Sequence, residues 1–268
     1  MFPGPGVAFL VSPPEWAPPA TLLPALYPRS VTAIIGFDTA TEETVVAATV
    51  GGESTFEFRS GPAEGDRPAH SSELLTAVEQ AVDSVGGWER VGRVVTGVGP
   101  GTYTGLRVAI ATATGIALAR TAEVAGIPTL GAMAHSIYLA RSGEGDRPGI
   151  AVPALDARRG ELFFAAYDRG GSELHPASVG SPDALAEAVS RLGGSALVAG
   201  PGAIRFRSEL EALGLELAGV EDPANHLLGS AICELGDQED RNGQGPLEPI
   251  YLRAPDAERW NRERRDGD

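Results

Sequence analysis

The sequence contains no lysine. A phosphate loop of the Walker A type needs Gly-Lys-Ser/Thr, so that device is excluded at the outset. Cysteine is nearly absent as well, with Cys233 standing alone. One thiol cannot form a disulfide within the chain or build a cysteine zinc site. This usage fits a reducing compartment. Histidine is scarce, and His70, His135, His175 and His226 are isolated. Leu74 occupies the position four residues after His70 where a second helical metal ligand would stand. No metal site is therefore expected. Gly-x-Ser-x-Gly and His-Glu-x-x-His are missing, which removes the familiar hydrolase elbow and zincin helix. No apolar run is long enough to span a membrane. Basic charge is outweighed, with 21 arginines against 36 acids and a net charge of −15. Phosphate binding needs a basic footprint, so the chain is not expected to be the main clamp on a nucleic acid.

What the chain does have is a glycine-rich turn between a strand and a helix. The run Val94-Val-Thr-Gly97-Val-Gly99-Pro-Gly101-Thr102-Tyr-Thr-Gly105-Leu-Arg-Val108 passes from apolar residues into a loop of glycines. A long small-residue helix follows. Backbone N–H groups at such a turn can point at an anion. Thr102 stands where a dinucleotide fingerprint would place its last glycine, so the loop looks like a nucleotide cradle without the usual tools.

The coarse order is strand 31–38, strand 44–50, strand 54–59, helix 70–85, strand 91–98, helix 104–121, strand 126–130 and helix 131–141. This β-β-β-α-β-α-β order is that of a ribonuclease-H-like lobe. A polar stretch at 142–149 follows, and then the chain repeats itself. Residues 34–49 align without gaps on 152–167, with Asp38 on Asp156 and Glu43 on Glu161. Helix 182–192, strand 195–199, helix 203–213 and helix 224–235 continue the second copy. The expected fold class is α/β, with two ribonuclease-H-like lobes of the actin-like ATPase superfamily of sugar kinases and heat-shock ATPases. The expected domains are an N-terminal lobe, 31–145, and a degenerate C-terminal lobe, 146–255. Residues 1–30 hold eight prolines and read as a disordered extension, with Val31 as an alternative start. Residues 256–268, with Arg259, Trp260, Arg262, Arg264 and Arg265, read as a flexible tail or an RNA contact.

Two such lobes would face Asp38 and Asp156 across one cleft. Asp38-Thr39-Ala40-Thr41 reads either as a phosphate or Mg²⁺ contact or as a polar hairpin turn. With Gly99, Gly101 and Thr102 these residues outline a nucleotide cleft. The second turn, Asp156-Ala-Arg-Arg-Gly160, is bulky and cationic, which makes the cleft degenerate. The enzyme alternative is an ATP-dependent phosphotransferase or ATPase of this superfamily, using Asp38, Asp156 and the 97–105 loop. A peptidase finds no nucleophile–base pair here. Helix 104–121 carries two rows of small residues, Gly105, Ala109, Ala113 and Ala117, and Ala111, Gly115 and Ala119. Small rows let another helix approach closely. One row is expected inside the lobe and the other against a partner.

These residues carry a resemblance to a known family, TsaB, also called YeaZ, over about 31–255. The motifs are Ile35-Gly-Phe-Asp38-Thr-Ala-Thr41, His70-Ser71 with Leu74-Leu75, the 97–107 loop, Ile127-Pro128, Asp156 to Glu161 and Ile250-Tyr-Leu-Arg253. The resemblance implies a bacterial cytoplasmic, non-catalytic subunit. Its partner would be TsaD, the transferase that carries ATP and metal, with the ATPase TsaE joining them. The complex would modify the adenosine next to the anticodon in tRNAs reading codons that start with A. This chain would need no cofactor of its own and would reach tRNA mainly through the complex. Pairing would use first-lobe helices, and a homodimer could form through the same surface. On this chain the resemblance implies an interface of His70, Leu74, Leu75, Val78, Gly105, Ala109, Ala113 and Ala117. Ala109→Arg is then expected to block pairing and leave the lobe folded.

Overall fold

The computed structural model describes residues 9–11, 32–62, 68–120, 122–143, 147–239 and 246–253. The first lobe is built on a sheet of β1 (Phe9–Val11), β2 (Ala33–Asp38), β3 (Thr44–Val50), β4 (Glu53–Ser60), β5 (Val91–Gly97) and β6 (Glu123–Ile127). Its strand order is β1-β4-β3-β2-β5-β6. The β2–β3 and β3–β4 pairs are antiparallel, and β2–β5 and β5–β6 are parallel. Apolar, β-branched β2 and β3 are buried along their whole length, as central strands covered on both faces must be. Helices α1 (His70–Ser84) and α2 (Tyr103–Arg120) cover one face. Leu74, Ala77, Val78, Ala81 and Val82 of α1 and Ala109 and Ala113 of α2 join Ile35, Phe37 and Val46 in one core.

The second sheet has the order β10-β7-β8-β9, from β7 (Ile150–Asp156), β8 (Leu162–Asp168), β9 (Glu173–Gly180) and β10 (Ala196–Ala199). Here too the first strand pairs antiparallel with its hairpin partner and parallel with the later strand. A single parallel bridge, Val198 to Leu217, stands where a fifth strand would lie. Helices α4 (Pro182–Ser190), α5 (Pro201–Arg205) and α6 (Arg207–Ala212) pack on this sheet's own core. Between the sheets lie α3 (Thr129–Ala140) and α7 (Gly229–Gln238), whose Leu130, Met133, Ile137, Ile232 and Cys233 join residues of both sheets in one cluster. The chain thus has two ribonuclease-H-like lobes that share one core through α3 and α7.

Several expectations need correction. The sixth strand is Glu123–Ile127 rather than 126–130, and α3 starts at Thr129. Pro128 cannot donate to a ladder and caps the helix instead. Strand β9 was not expected. Its irregular ladder, with register shifts against β8, carries His175 and Pro176 and hides the period-two signal. The expected helix 203–213 is two short helices broken at Phe206. Helix α7, assigned to the second lobe, packs on the first sheet. A Cβ on Gly36 would sit 2.6 Å from Cys233 Sγ, and one on Gly236 would sit 2.3 Å from Val95 Cγ2. Within 1–30, Phe9–Val11 form an edge strand against β4; the rest, and the 256–268 tail, lie outside the described residues. The gap-free repeat is also one residue out of step in space. Asp38 pairs with Val45, but Asp156 pairs with Leu162, not Phe163. The second turn is tighter by one residue, and Arg158 and Arg159 take left-handed backbone, φ 63° and 57°, to close it. That conformation is costly for a residue with a Cβ.

Candidate functional site: a filled cleft and an exposed helix face

Asp38 ends β2 in the heart of the first lobe and is fully buried. One carboxylate oxygen accepts the N–H of Ala40, and the other accepts the hydroxyl of Thr129 at 2.8 Å. Thr129 Oγ1 in turn accepts from Gly99 N at 3.2 Å. Burial pushes the Asp38 carboxyl up to about 6, against the pull of these donors. The group is a structural bolt between β2, α3 and the glycine loop.

The loop itself closes on the hairpin turn. Thr102 N donates to Ala40 O at 2.7 Å, and Thr39 Oγ1 donates to Gly105 O at 2.7 Å. Gly105 N is capped by Thr102 Oγ1 at 3.2 Å. The glycines are needed because backbone meets backbone here. A Cβ at Gly97 would lie 1.6 Å from Asp38 Oδ2, at Gly101 2.4 Å from Ala40 O, and at Gly105 1.8 Å from Thr39 O. The N–H groups of Gly99, Thr102 and Gly105, which would cradle a phosphate, are taken by this chain's own oxygens. Thr41 Oγ1 accepts from Glu43 N at 3.1 Å and so serves its own turn. The cradle expected from Thr39, Thr41, Gly99, Gly101 and Thr102 is thus filled by the protein.

Asp156 is also engaged. It accepts from Arg158 N at 2.8 Å and lies 3.2 Å from Arg205 Nη1. Arg158 reaches across to Glu42 in the first-lobe turn, and His226 Nδ1 approaches Glu43 at 3.1 Å. The two hairpin tips therefore meet in the ion pair of Arg158 with Glu42. Among the described residues, no three His, Cys, Asp or Glu side chains gather as a metal site would require. None of their helices is long and apolar enough to cross a membrane.

A second buried carboxyl lies on the far side of the sheet. Glu57 of β4 accepts the N–H groups of Gly229 and Ser230 at the start of α7, where a negative charge suits the helix end. Burial nevertheless pushes its carboxyl up to about 7. Both Asp38 and Glu57 bind a proton more tightly folded than unfolded. Their contribution to stability is full below the ordinary carboxylate values and is lost as pH rises through 6 to 7. Each shift corresponds to on the order of 3 kcal/mol. Urea midpoints should therefore fall between pH 5 and 8, and Glu57→Gln should flatten that slope; an equally steep slope in the variant would contradict the assignment.

Most of the residues expected at the partner interface are buried within the lobe. His70 is buried, with Nδ1 2.9 Å from Thr44 Oγ1, and burial lowers its imidazole pKa. Leu74, Val78, Gly105, Ala109, Ala113 and Ala117 are buried in the lobe as well. Gly105, Ala109, Ala113 and Ala117 face inward with Leu106 because the 3.6-residue period places them on one stripe of α2. Only Leu75 of the named set is open, 54% exposed. The other row is the free one: Ala111, Gly115 and Ala119 are exposed, and Leu118 between them is 80% exposed. A Cβ on Gly115 would meet nothing within 4 Å. A mid-helix glycine costs up to about 1 kcal/mol against alanine, and here the chain's own packing does not require it. Leu118 could have been found as the one large apolar residue on the outward side of that row. Tyr251 and Arg253 also reach the cleft mouth, from a C-terminal segment whose distance in sequence hid them.

Two lobes, each strand–Asp–turn–strand, joined through α3 and α7, define a two-lobed α/β fold. Residues 64–210, more than half of the chain, match the family model described as "TsaD: tRNA N6-adenosine threonylcarbamoyltransferase". The chain is 28% identical over 227 residues to the Escherichia coli (strain K12) tRNA threonylcarbamoyladenosine biosynthesis protein TsaB, covering 82% of this chain and 94% of that one. The Haemophilus influenzae protein of the same name is 30% identical over 133 residues, 49% of this chain and 52% of that one. The fold is that of YeaZ from Pseudomonas aeruginosa, with a TM-score of 0.62 at 22% identity over 82% of this chain and 100% of that one. A structure described as an uncharacterized protein with similarity to peptidase YEAZ, from the same organism, gives a TM-score of 0.66 at 22% identity, covering 83% of this chain and all of that one. The chain belongs to the family that the matching family model describes, and it is similar to the TsaB and YeaZ proteins.

Proposed function

We propose that this chain is a non-catalytic subunit in the biosynthesis of tRNA threonylcarbamoyladenosine. It pairs with a TsaD-type transferase through the outward faces of α1 and α2 and holds that partner in its competent state. ATP and metal belong to the transferase, TsaE joins the assembly, and tRNA is reached through the complex in the cytoplasm. In isolation the same face allows a homodimer. The product is the modified adenosine next to the anticodon in tRNAs reading codons that start with A.

The observation that carries this reading is the contrast between the two candidate surfaces. The cleft spends the amides of Gly99, Thr102 and Gly105 and the carboxylate of Asp38 on its own turns, which supports a role other than nucleotide turnover. The helix face keeps a costly glycine and a bare leucine that its own lobe does not use. A row of exposed small residues beside a bare leucine fits close approach by a helix of a protein partner. The names of the curated relatives support the pathway.

The test mixes this protein with the TsaD-type transferase and TsaE of the same organism and measures threonylcarbamoyladenosine on tRNA, omitting each in turn. Modification should require this chain, and this chain alone should yield none. Full activity without it, or magnesium-dependent ATP turnover by it alone that Asp38→Ala removes, would return Asp38 and Asp156 to catalytic roles.

A further inference from the structure

A pairing face on α1 and α2 leaves the second lobe without a task. The C-terminal segment 246–253 supplies one. Leu247 packs by Gly126 at the end of the first sheet. Ile250 N donates to Val98 O at 2.7 Å, so the segment joins the rim of the glycine loop. Tyr251 then stacks on Tyr103, the first residue of α2, with ring centroids 5.6 Å apart. Its hydroxyl accepts from Arg107 Nε at 3.2 Å, and the Arg107 guanidinium lies 4.1 Å over the Tyr103 ring. Leu252 packs against the core shared by both lobes. Arg253 Nη1 donates to Ala157 O at 3.0 Å, and the same guanidinium pairs with Glu161. Ala157 and Glu161 are the two ends of the second-lobe turn, closed by Ala157 N to Glu161 O at 3.0 Å. Four consecutive residues thus run from the first turn of the pairing helix to the hairpin of the other lobe.

The first turn of a helix is where fraying starts, because its N–H groups lack intrahelical partners. In α2 that turn is Tyr103 to Leu106, and Tyr103 is exposed. The stack of Arg107, Tyr103 and Tyr251 covers it from outside. We propose that Ile250–Arg253 is a strap by which the second lobe positions the first turn of α2 and so pre-orders the pairing face. This rests on the pairing reading of α1 and α2. Arg253 is a positioning residue: it touches the second-lobe turn and acts on α2 only through Tyr251.

The experiment measures backbone amide exchange in the full chain and, separately, affinity for the TsaD-type transferase. Arg253→Ala and Tyr251→Ala should each speed exchange at 104–108 by about tenfold, and each should weaken pairing several-fold. The double variant should be no worse than either single, because both act through one strap. Tyr251→Phe keeps the stack and should retain most of the protection. Overturning results are an Arg253→Ala effect confined to 157–161, additive single effects, or faster exchange spread evenly over the first lobe. If the unaltered protein fails to pair, the pairing reading falls, and exchange at 104–108 still decides the strap.

Discussion

Replacing Leu118 with arginine should weaken pairing with the TsaD-type transferase by at least about 100-fold, or about 2.7 kcal/mol, without lowering the thermal midpoint. Leu118 is 80% exposed, so the substitution removes little of the lobe's own packing, and surface changes of that kind stay within about 0.5 kcal/mol. In the complex the same position would bury an unpaired guanidinium at the centre of a helix contact, where the penalty is large. Gly115→Arg should act in the same direction, whereas Gly115→Ala should raise monomer stability by up to about 1 kcal/mol. Ala109→Arg is the control with the opposite meaning. Ala109 lies fully buried under α2 among Ile35, Phe37 and Val94, so it should unfold the lobe rather than silence the interface. Analytical sizing with and without the transferase, beside a melting curve, separates these cases. Normal complex formation by Leu118→Arg would move the pairing face elsewhere.

The difference between Ala109 and Leu118 shows how far the sequence carried the argument. Lobe order, the hairpin repeat and the strand–loop–helix unit were readable from period-two and 3.6-residue patterns, because central strands and amphipathic helices impose those periods. Two rows of small residues on α2 were readable as well. Which row faces the sheet was not, since glycine and alanine occupy both and the hydrophobic contrast is weak. Only the positions of Leu106 on one side and Leu118 on the other orient the helix. The bonds that the glycine loop makes to the hairpin turn were not legible for a related reason. A glycine needed for close backbone approach looks the same whether the approaching atom belongs to a phosphate or to Thr39. The strap was legible only as Ile250 to Arg253 in a family motif, since contacts between residues about 150 apart leave no local period. The return of α7 to the first sheet is hidden for the same reason.

Gly105→Ala and Gly97→Ala should each destabilise the protein by on the order of 3–5 kcal/mol, with a fall of roughly 10 °C or more in the thermal midpoint. A methyl group at 105 would lie 1.8 Å from Thr39 O, and at 97 it would lie 1.6 Å from Asp38 Oδ2. Neither neighbour can step aside. Thr39 is held by its bond to Gly105 O, and Asp38 by Ala40 and Thr129. Relief would require the hairpin turn to leave the loop, which breaks the bonds of Thr102 N to Ala40 O and of Thr39 Oγ1 to Gly105 O. A nucleotide-binding loop makes a different prediction. There the space beside the glycines belongs to the phosphates, so an added methyl weakens ligand affinity and leaves the empty protein folded. Melting both variants with and without magnesium–ATP therefore distinguishes the two uses of the same glycines. Loss of stability, with no shift from the nucleotide in either variant or in the unaltered chain, is the expected result. Variants that melt like the unaltered protein would mean that the turn and the loop do not close on each other, and the cleft would again be open to a phosphate.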